Sequence, residues 1–264
     1  MQLRVASLYR YPVKGLSPER LMQADLAKGG GFPADRLYAI ENGPSGFDAA
    51  APQHQPKIKF LMLMRNEALA RLTTRYDDAT TVLTIADGER EVARGALSSE
   101  AGRVAIEAFF RRFMPRELRG APKVLTAPGT FRFTDSRIGF VSIINLASVQ
   151  ALEELAGAPV DPLRFRGNVH VEGLAPWAEL DLVGKVLESP SGLRLKVTKR
   201  IERCAATNVD PETGARDLEI PKTLMRHLGH IDCGVYAEVL RGGVIAEGAR
   251  FHLETEAQQA LPLA

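Results

Sequence analysis

Short apolar runs of strand length dominate the first half of the chain. Val5 to Leu8, Leu37 to Ile40, Lys59 to Met64 and Thr81 to Ile85 are bounded by Gly, Pro or Asp, and each predicts a strand. Asp87-Gly88 behind the last run predicts a hairpin turn. Gly29-Gly30-Gly31 predicts a turn that needs positive φ. Glu100 to Phe113 changes period: Val104, Ala105, Ala108 and Phe109 recur at helical spacing between charged residues. Gly120-Ala121-Pro122 and Ala127-Pro128-Gly129 then punctuate the middle and place a boundary there. Beyond it, Ser148 to Ala156 predicts a short amphipathic helix after Asn145. Asn168 to Glu172, Leu193 to Thr198 and Val235 to Leu240 predict strands. Leu218 to Leu228 predicts a helix interrupted early by Pro221, and Leu240-Arg241-Gly242-Gly243-Val244 a hairpin turn. No internal repeat is visible, and Glu254 to Ala264 predicts a frayed tail. The sum is a β-rich α+β protein, not a run of βαβ units.

Composition narrows the classes. At 264 residues the chain can bury a real core, in one large or two smaller domains. The formal net charge of +2 gives no electrostatic reason to expect nucleic acid or an acidic membrane as partner. No apolar run approaches a membrane span and the N-terminus lacks a signal-peptide core, so a cytoplasmic location is expected. The two cysteines, Cys204 and Cys233, are too few for an iron–sulfur cluster within this chain, and a cytoplasmic setting keeps both reduced. No pyridoxal phosphate is expected.

Three segments carry candidate chemistry. The richest runs from Arg200-Ile201-Glu202-Arg203-Cys204 to Asp210-Pro211-Glu212-Thr213-Gly214. Arg200 and Arg203 would favour a thiolate at Cys204, the form that ligates a soft metal or attacks an electrophile. The bland alternative is a buried structural cysteine, and it is the better reading for Cys233. A protease-like pairing of Cys204 with His227 or His230 has no supporting motif. Asp210 could steer a proton, but a turn-forming role fits it better. In the second segment, Arg164-Phe165-Arg166, an extended chain would put both guanidiniums on one face as a phosphate clamp, although spacing alone favours arginines paired with carboxylates. In the third, Lys14 follows Tyr11-Pro12-Val13 and precedes Gly15, with Asp35-Arg36 further on. Alone, such a lysine is usually a solvated turn residue.

Taken together, Tyr11-Pro12-Val13-Lys14, Asp35-Arg36, Arg164-Phe165-Arg166-Gly167-Asn168, the cysteine segment at 203–214 and Gly234-Val235-Tyr236-Ala237 resemble the MOSC proteins. The resemblance is to those with an N-terminal MOSC β-barrel domain, a group that includes the amidoxime-reducing component and its bacterial relatives. It runs from about residue 1 to about residue 253. It implies an N-terminal MOSC-type β-barrel domain (1–122) packed on a MOSC β-barrel-like domain with short helices (123–264). It also implies a molybdenum cofactor, with one molybdopterin and the Cys204 thiolate holding the metal. Lys14, Arg36, Arg166 and Asn168 would grip the phosphate and pterin. Asn145 and Ser148 would stand at a helix N-terminus that suits an anion.

The activity so implied is molybdenum-dependent reduction of N-hydroxylated compounds, with electrons from a separate reductase or ferredoxin-like donor protein. Two other readings stay open: a sulfur-transfer or cofactor-handling protein using Cys204, and a non-catalytic binding module of the same fold. The chain departs from the family pattern at Gly15, where a serine is common, at Gly167, where a proline is common, and at Glu202, whose carboxylate could meet Arg200.

Overall fold

The computed structural model describes residues 2–136 and 141–254; most of the predicted frayed tail lies outside them. The first half supplies β1 (Gln2–Arg10), β2 (Glu19–Leu21), β3 (Gln23–Leu26), β4 (Tyr38–Asn42), β5 (Leu72–Tyr76), β6 (Val82–Asp87), β7 (Arg90–Ala96), helix α1 (Glu100–Phe113) and β8 (Pro122–Thr126). The second supplies β9 (Val141–Asn145), α2 (Leu146–Ala156), β10 (Val169–Glu172), β11 (Val186–Glu188), β12 (Arg194–Glu202), α3 (Ile220–Leu228), β13 (Asp232–Arg241), β14 (Gly243–Ala246) and β15 (Arg250–Leu253).

Strands β10, β9, β13, β12, β11, β15 and β1 hydrogen-bond in that order. β1 pairs back onto β10, which closes a seven-stranded barrel. β1 serves three partners, with a bulge between Val5 and Ser7: Gln2 to Arg4 pair with β15, Arg4 to Leu8 with β10, and Leu8 to Arg10 with β2. The barrel strands alternate as a half-buried sheet should. In β13, Cys233, Val235, Ala237 and Val239 are buried, while Tyr236 and Glu238 between them are only partly so. Val5, Val141, Val171, Leu195 and Val235 meet in the barrel core. Closure removes the exposed edges that an open sheet of this size would present.

The first strand thus belongs to the barrel built mainly from the second half of the chain. β3 likewise pairs with β14. The rest of the first half forms a separate core, where β5-β6-β7, the β4–β8 pair and α1 bury Ile40, Leu61, Leu72, Ile85, Ile106 and Phe110. α1 occupies the predicted residues because both ends are marked. The Ser99 side chain accepts a bond from Gly102 N as N-cap, a contact worth about 1 kcal/mol. Arg111 and Arg112 complement the C-terminal dipole.

Four local expectations change. Lys59 to Met64 is not a strand: Pro56 opens a 3-10 turn over Lys57–Lys59, and Phe60 makes a lone bridge to Glu41. The apolar run is a buried loop, with Phe60, Leu61 and Met62 in the core. Leu240 to Val244 is not a hairpin, because β14 leaves β13 to pair with β3. Gly242 permits this, since a Cβ there would stand 2.6 Å from the Leu26 carbonyl oxygen. Pro221 starts α3 instead of interrupting it; in the first turn its missing N–H costs nothing. Arg164-Phe165-Arg166 is not extended: Pro162–Phe165 form a 3-10 turn capped by Asp161, and Arg166 follows in the left-handed region at φ 53°.

Candidate functional site

The 3-10 turn before Arg166, the loop after β1, the loop following β8 and the end of β12 meet at one cleft of about 1030 Å³. Lys14, Arg36, Arg166, Asn168 and Cys204 all line it, so residues separated by up to 190 positions converge. Asn145 and Ser148 do not line it. They form a buried network with Glu179, whose carboxylate accepts from Asn145 Nδ2 at 3.0 Å, Ser148 Oγ at 2.7 Å and Gly234 N at 3.3 Å. Asn145 also caps α2 by accepting from Ala147 N. These two side chains are spent on the fold.

Tyr11 anchors the basic wall. It is fully buried, and burial pushes its phenol up to about 12. The Arg36 guanidinium lies 4.4 Å and that of Arg166 4.2 Å from the centre of its ring. Stacking on one aromatic holds two like charges together. Both arginines adopt left-handed backbone, Arg36 at φ 48° and Arg166 at φ 53°. Such strain in non-glycine residues concentrates at functional sites. Their surroundings then differ. Arg36 forms an ion pair with Asp35 at 2.6 Å and donates to the Arg166 carbonyl at 2.9 Å. Burial opposes its charge, but Asp35 outweighs burial and raises its pKa. Arg166 has no carboxylate partner among the described residues, and burial lowers its pKa to about 10. It stays cationic at neutral pH and is under-compensated.

Lys14 is buried. Its ammonium donates to the Phe133 carbonyl at 3.1 Å and forms an ion pair with Asp135. Burial lowers its pKa in spite of that carboxylate. Gly15 has a physical reason to replace serine. Its φ is 85°, and a Cβ would lie 2.7 Å from the Leu61 carbonyl oxygen. Asn168 lines the cleft but stitches the barrel: Ser142 Oγ donates to its Oδ1 at 2.8 Å, and its Nδ2 donates to the Tyr9 carbonyl at 3.1 Å. Gly167 lies against Ile144, where a Cβ would clash with that side chain.

β12 delivers Cys204 to the cleft and ends two residues before it. A 3-10 turn, Ala205–Asn208, follows at once, and Thr207 Oγ1 donates back to the Cys204 carbonyl at 2.9 Å. Cys204 is partly exposed and free, whereas Cys233 is buried, its thiol pushed up to about 12 by burial. Of the two expected cations, Arg203 interacts with the Cys204 thiol, although its hydrogen bonds go elsewhere. Arg203 is buried and donates to the Phe165 carbonyl at 2.9 Å and to the Cys233 carbonyl at 2.7 Å. Arg200 turns to the Leu180 carbonyl, Asp181 and Asp232, and not to Glu202. Lys57, from the loop before Phe60, also lies close enough to interact with Cys204. Burial opposes its charge, but Cys204 and then Asp135 outweigh burial and raise its pKa.

Arg164 takes the paired role, meeting Asp217 and Asp210 at 2.8 and 3.0 Å. Asp210 also accepts from Glu212 N and Thr213 N, so it builds the turn. Lys57, Asp135, Tyr11 and Tyr236 all escaped the reading of the sequence as site residues. Tyr236 was readable from strand alternation in β13. Lys57 and Asp135 sit in loops with no local pattern.

Two family models match the chain: the MOSC N-terminal beta barrel domain over residues 2–112, and the MOSC domain over residues 130–252. The chain belongs to the MOSC family. MOSC domains are associated in general with molybdenum cofactor. No protein with curated annotation matches the chain. Among solved structures, YuaD of Bacillus subtilis is 13% identical with a TM-score of 0.47, covering 96% of each chain. YiiM of Geobacillus stearothermophilus is 22% identical with a TM-score of 0.36, over 47% of this chain and 58% of that one. YiiM of Escherichia coli is 18% identical with a TM-score of 0.31, over 45% and 55%. No helix among the described residues is long and apolar enough to cross a membrane.

Proposed function

We propose that this MOSC protein binds a molybdenum–pterin cofactor in the cleft, with the Cys204 thiolate as its ligand to the metal. In this reading it reduces N-hydroxylated compounds with electrons from a separate donor protein. The observation that carries the reading is the convergence of one accessible thiol with an excess of cations. Eight basic and five acidic side chains line the cleft. A phosphate-bearing anionic cofactor needs such an excess, and a soft metal needs a thiolate. The donor set present fits both needs.

Arg166 and Arg36 would meet the phosphate and pterin, backed by the rigid ring of Tyr11. Lys14, already shared with Asp135, would supply a fixed positive field behind them. Lys57 would place its positive charge beside the sulfur of Cys204. When bound, the cofactor supplies the redox step, in which two electrons and two protons turn an N–OH group into N–H and the oxygen leaves as water. Two cysteines cannot hold a four-cysteine cluster, so this chain's residues bind and orient while another protein delivers electrons.

The test uses protein purified from a host that makes the cofactor. Molybdenum is measured by elemental analysis, and reduction of an N-hydroxylated compound by a reduced viologen dye is followed, for wild type and Cys204→Ser. Near-stoichiometric molybdenum in the wild type, with turnover lost in the variant, is the expected result. A folded, cofactor-exposed wild type without molybdenum contradicts the proposal and leaves Cys204 as a sulfur carrier.

A further inference from the structure

A second cavity of about 800 Å³ opens beside the cleft. Thr134 and Ser136 line both, so the segment that carries Asp135 is their shared wall. The two cavities therefore adjoin along this segment. The second cavity has an apolar side, with Pro52, Pro128 and Phe131. It also holds a guanidinium and an imidazole that the cofactor reading does not use.

The first is Arg132. Its Nη1 donates to the Gly129 carbonyl at 2.9 Å and to the Phe131 carbonyl at 2.6 Å, which fixes the guanidinium in place. No carboxylate pairs with it among the described residues. Burial lowers its pKa, and only the pull of Asp35 works the other way. The second is His54, whose Nε2 is shielded from solvent and has no hydrogen-bond partner among the described residues. A buried polar atom left without a partner costs free energy unless something comes to fill the place. A fixed guanidinium and such an imidazole lining one cavity suit a singly charged, planar anion. A phosphate dianion would call for more positive charge than this cavity offers.

We propose that this cavity binds the carboxylate of the substrate, and so selects N-hydroxylated compounds that carry a carboxylate on an aromatic or short aliphatic frame. The proposal rests on the reductase reading for the word substrate; the anion site itself does not. Arg132 and His54 set specificity, while Cys204 and the cations around Tyr11 hold the cofactor.

The experiment compares two probes, benzamidoxime and its para-carboxylate, by titration calorimetry on the full purified chain. Wild type is expected to bind the carboxylate at least roughly tenfold more tightly, the usual worth of a charge-assisted contact. Arg132→Ala should abolish that preference and leave the affinity for benzamidoxime unchanged. Arg132→Lys should restore part of it. Circular dichroism checks the fold, and His54→Phe, which keeps the ring volume, serves as a second variant with a severalfold loss of preference. Equal affinity of wild type for the two probes overturns the proposal, as does a preference that survives both Arg132→Ala and His54→Phe. Preference without turnover would sink the reductase reading and keep the anion site. Turnover of both probes with equal affinity would keep the reductase and sink the site.

Discussion

Two polar clusters lie within this fold, and they differ in one respect that decides their roles. Around Glu179 the donors and acceptors match: Asn145, Ser148 and the Gly234 amide all give to one buried carboxylate, and Asn145 Nδ2 gives also to the Ala175 carbonyl. Around Tyr11 they do not. Asp35 takes up Arg36 and Asp135 takes up Lys14, while Arg166 faces the cleft with no carboxylate among the described residues. A saturated network holds elements together and has nothing left to offer a ligand. A cluster with surplus charge is costly alone and gains when an anion arrives. Residue type and position near a helix N-terminus, which favoured Asn145 and Ser148, do not separate these cases. Satisfaction within the fold does.

The largest expected effect breaks the saturated side. Glu179→Ala leaves three donors without their acceptor and should cost about 3 kcal/mol or more of unfolding free energy, read from urea titration. A loss under 1 kcal/mol would show that the network is not what pins α2 to β13. Next comes His170, which is buried beside Tyr9 and whose own Nε2 has no partner among the described residues. Burial lowers its pKa to about 4, against an ordinary value near 6.5. The unfolded chain therefore takes up a proton between these values that the folded chain refuses. This contribution to stability is complete above about pH 6.5 and lost as pH falls toward about 4. Its full extent is about 3 kcal/mol. Thermal unfolding from pH 7 to 4 should show a smaller decline for His170→Phe than for wild type; parallel curves would refute the assignment.

A smaller effect is expected at Arg164, which is buried while Asp210 and Asp217 keep partial access to water. Arg164→Met should cost about 2 kcal/mol, less than a fully buried pair, because the stranded carboxylates can hydrate. It should also loosen the loop after Cys204, seen as faster amide exchange over residues 209–217. The smallest stability effect belongs to Arg166→Ala, within about 0.5 kcal/mol. A large destabilisation there would mean that Arg166 is structural and that the contrast between the two clusters is false.

Legibility followed locality. α1 could be read to the residue because its period, its Ser99 cap and its closing arginines lie within one short window. Cys204 stood out because a lone cysteine between basic residues and a turn is locally unusual. The barrel could not be read in the same way, since β1 closing onto β10 is a pairing across most of the chain. Lys59 to Met64 resembles a strand in sequence because burial, and not alternation, makes that loop apolar. Lys57 had no signal at all: it acts at Cys204 only because the fold carries the loop there. The spacing of Arg164 and Arg166 suggested a shared face, but Pro162 and the left-handed Arg166 send one inward to carboxylates and the other to Tyr11. In the sequence, only the family resemblance links Lys14, Arg36 and Arg166 with Cys204.

The central claim is that the surplus charge on Tyr11 exists to hold the cofactor. The direct measurement is the pterin content of protein purified from a cofactor-producing host, read by fluorescence after acid oxidation, for wild type, Arg166→Ala and Glu179→Ala. The account predicts near-stoichiometric pterin in the wild type, at least roughly a tenfold weaker hold in Arg166→Ala, and retention in the folded fraction of Glu179→Ala. Equal pterin in wild type and Arg166→Ala, or its selective loss from Glu179→Ala, would contradict it.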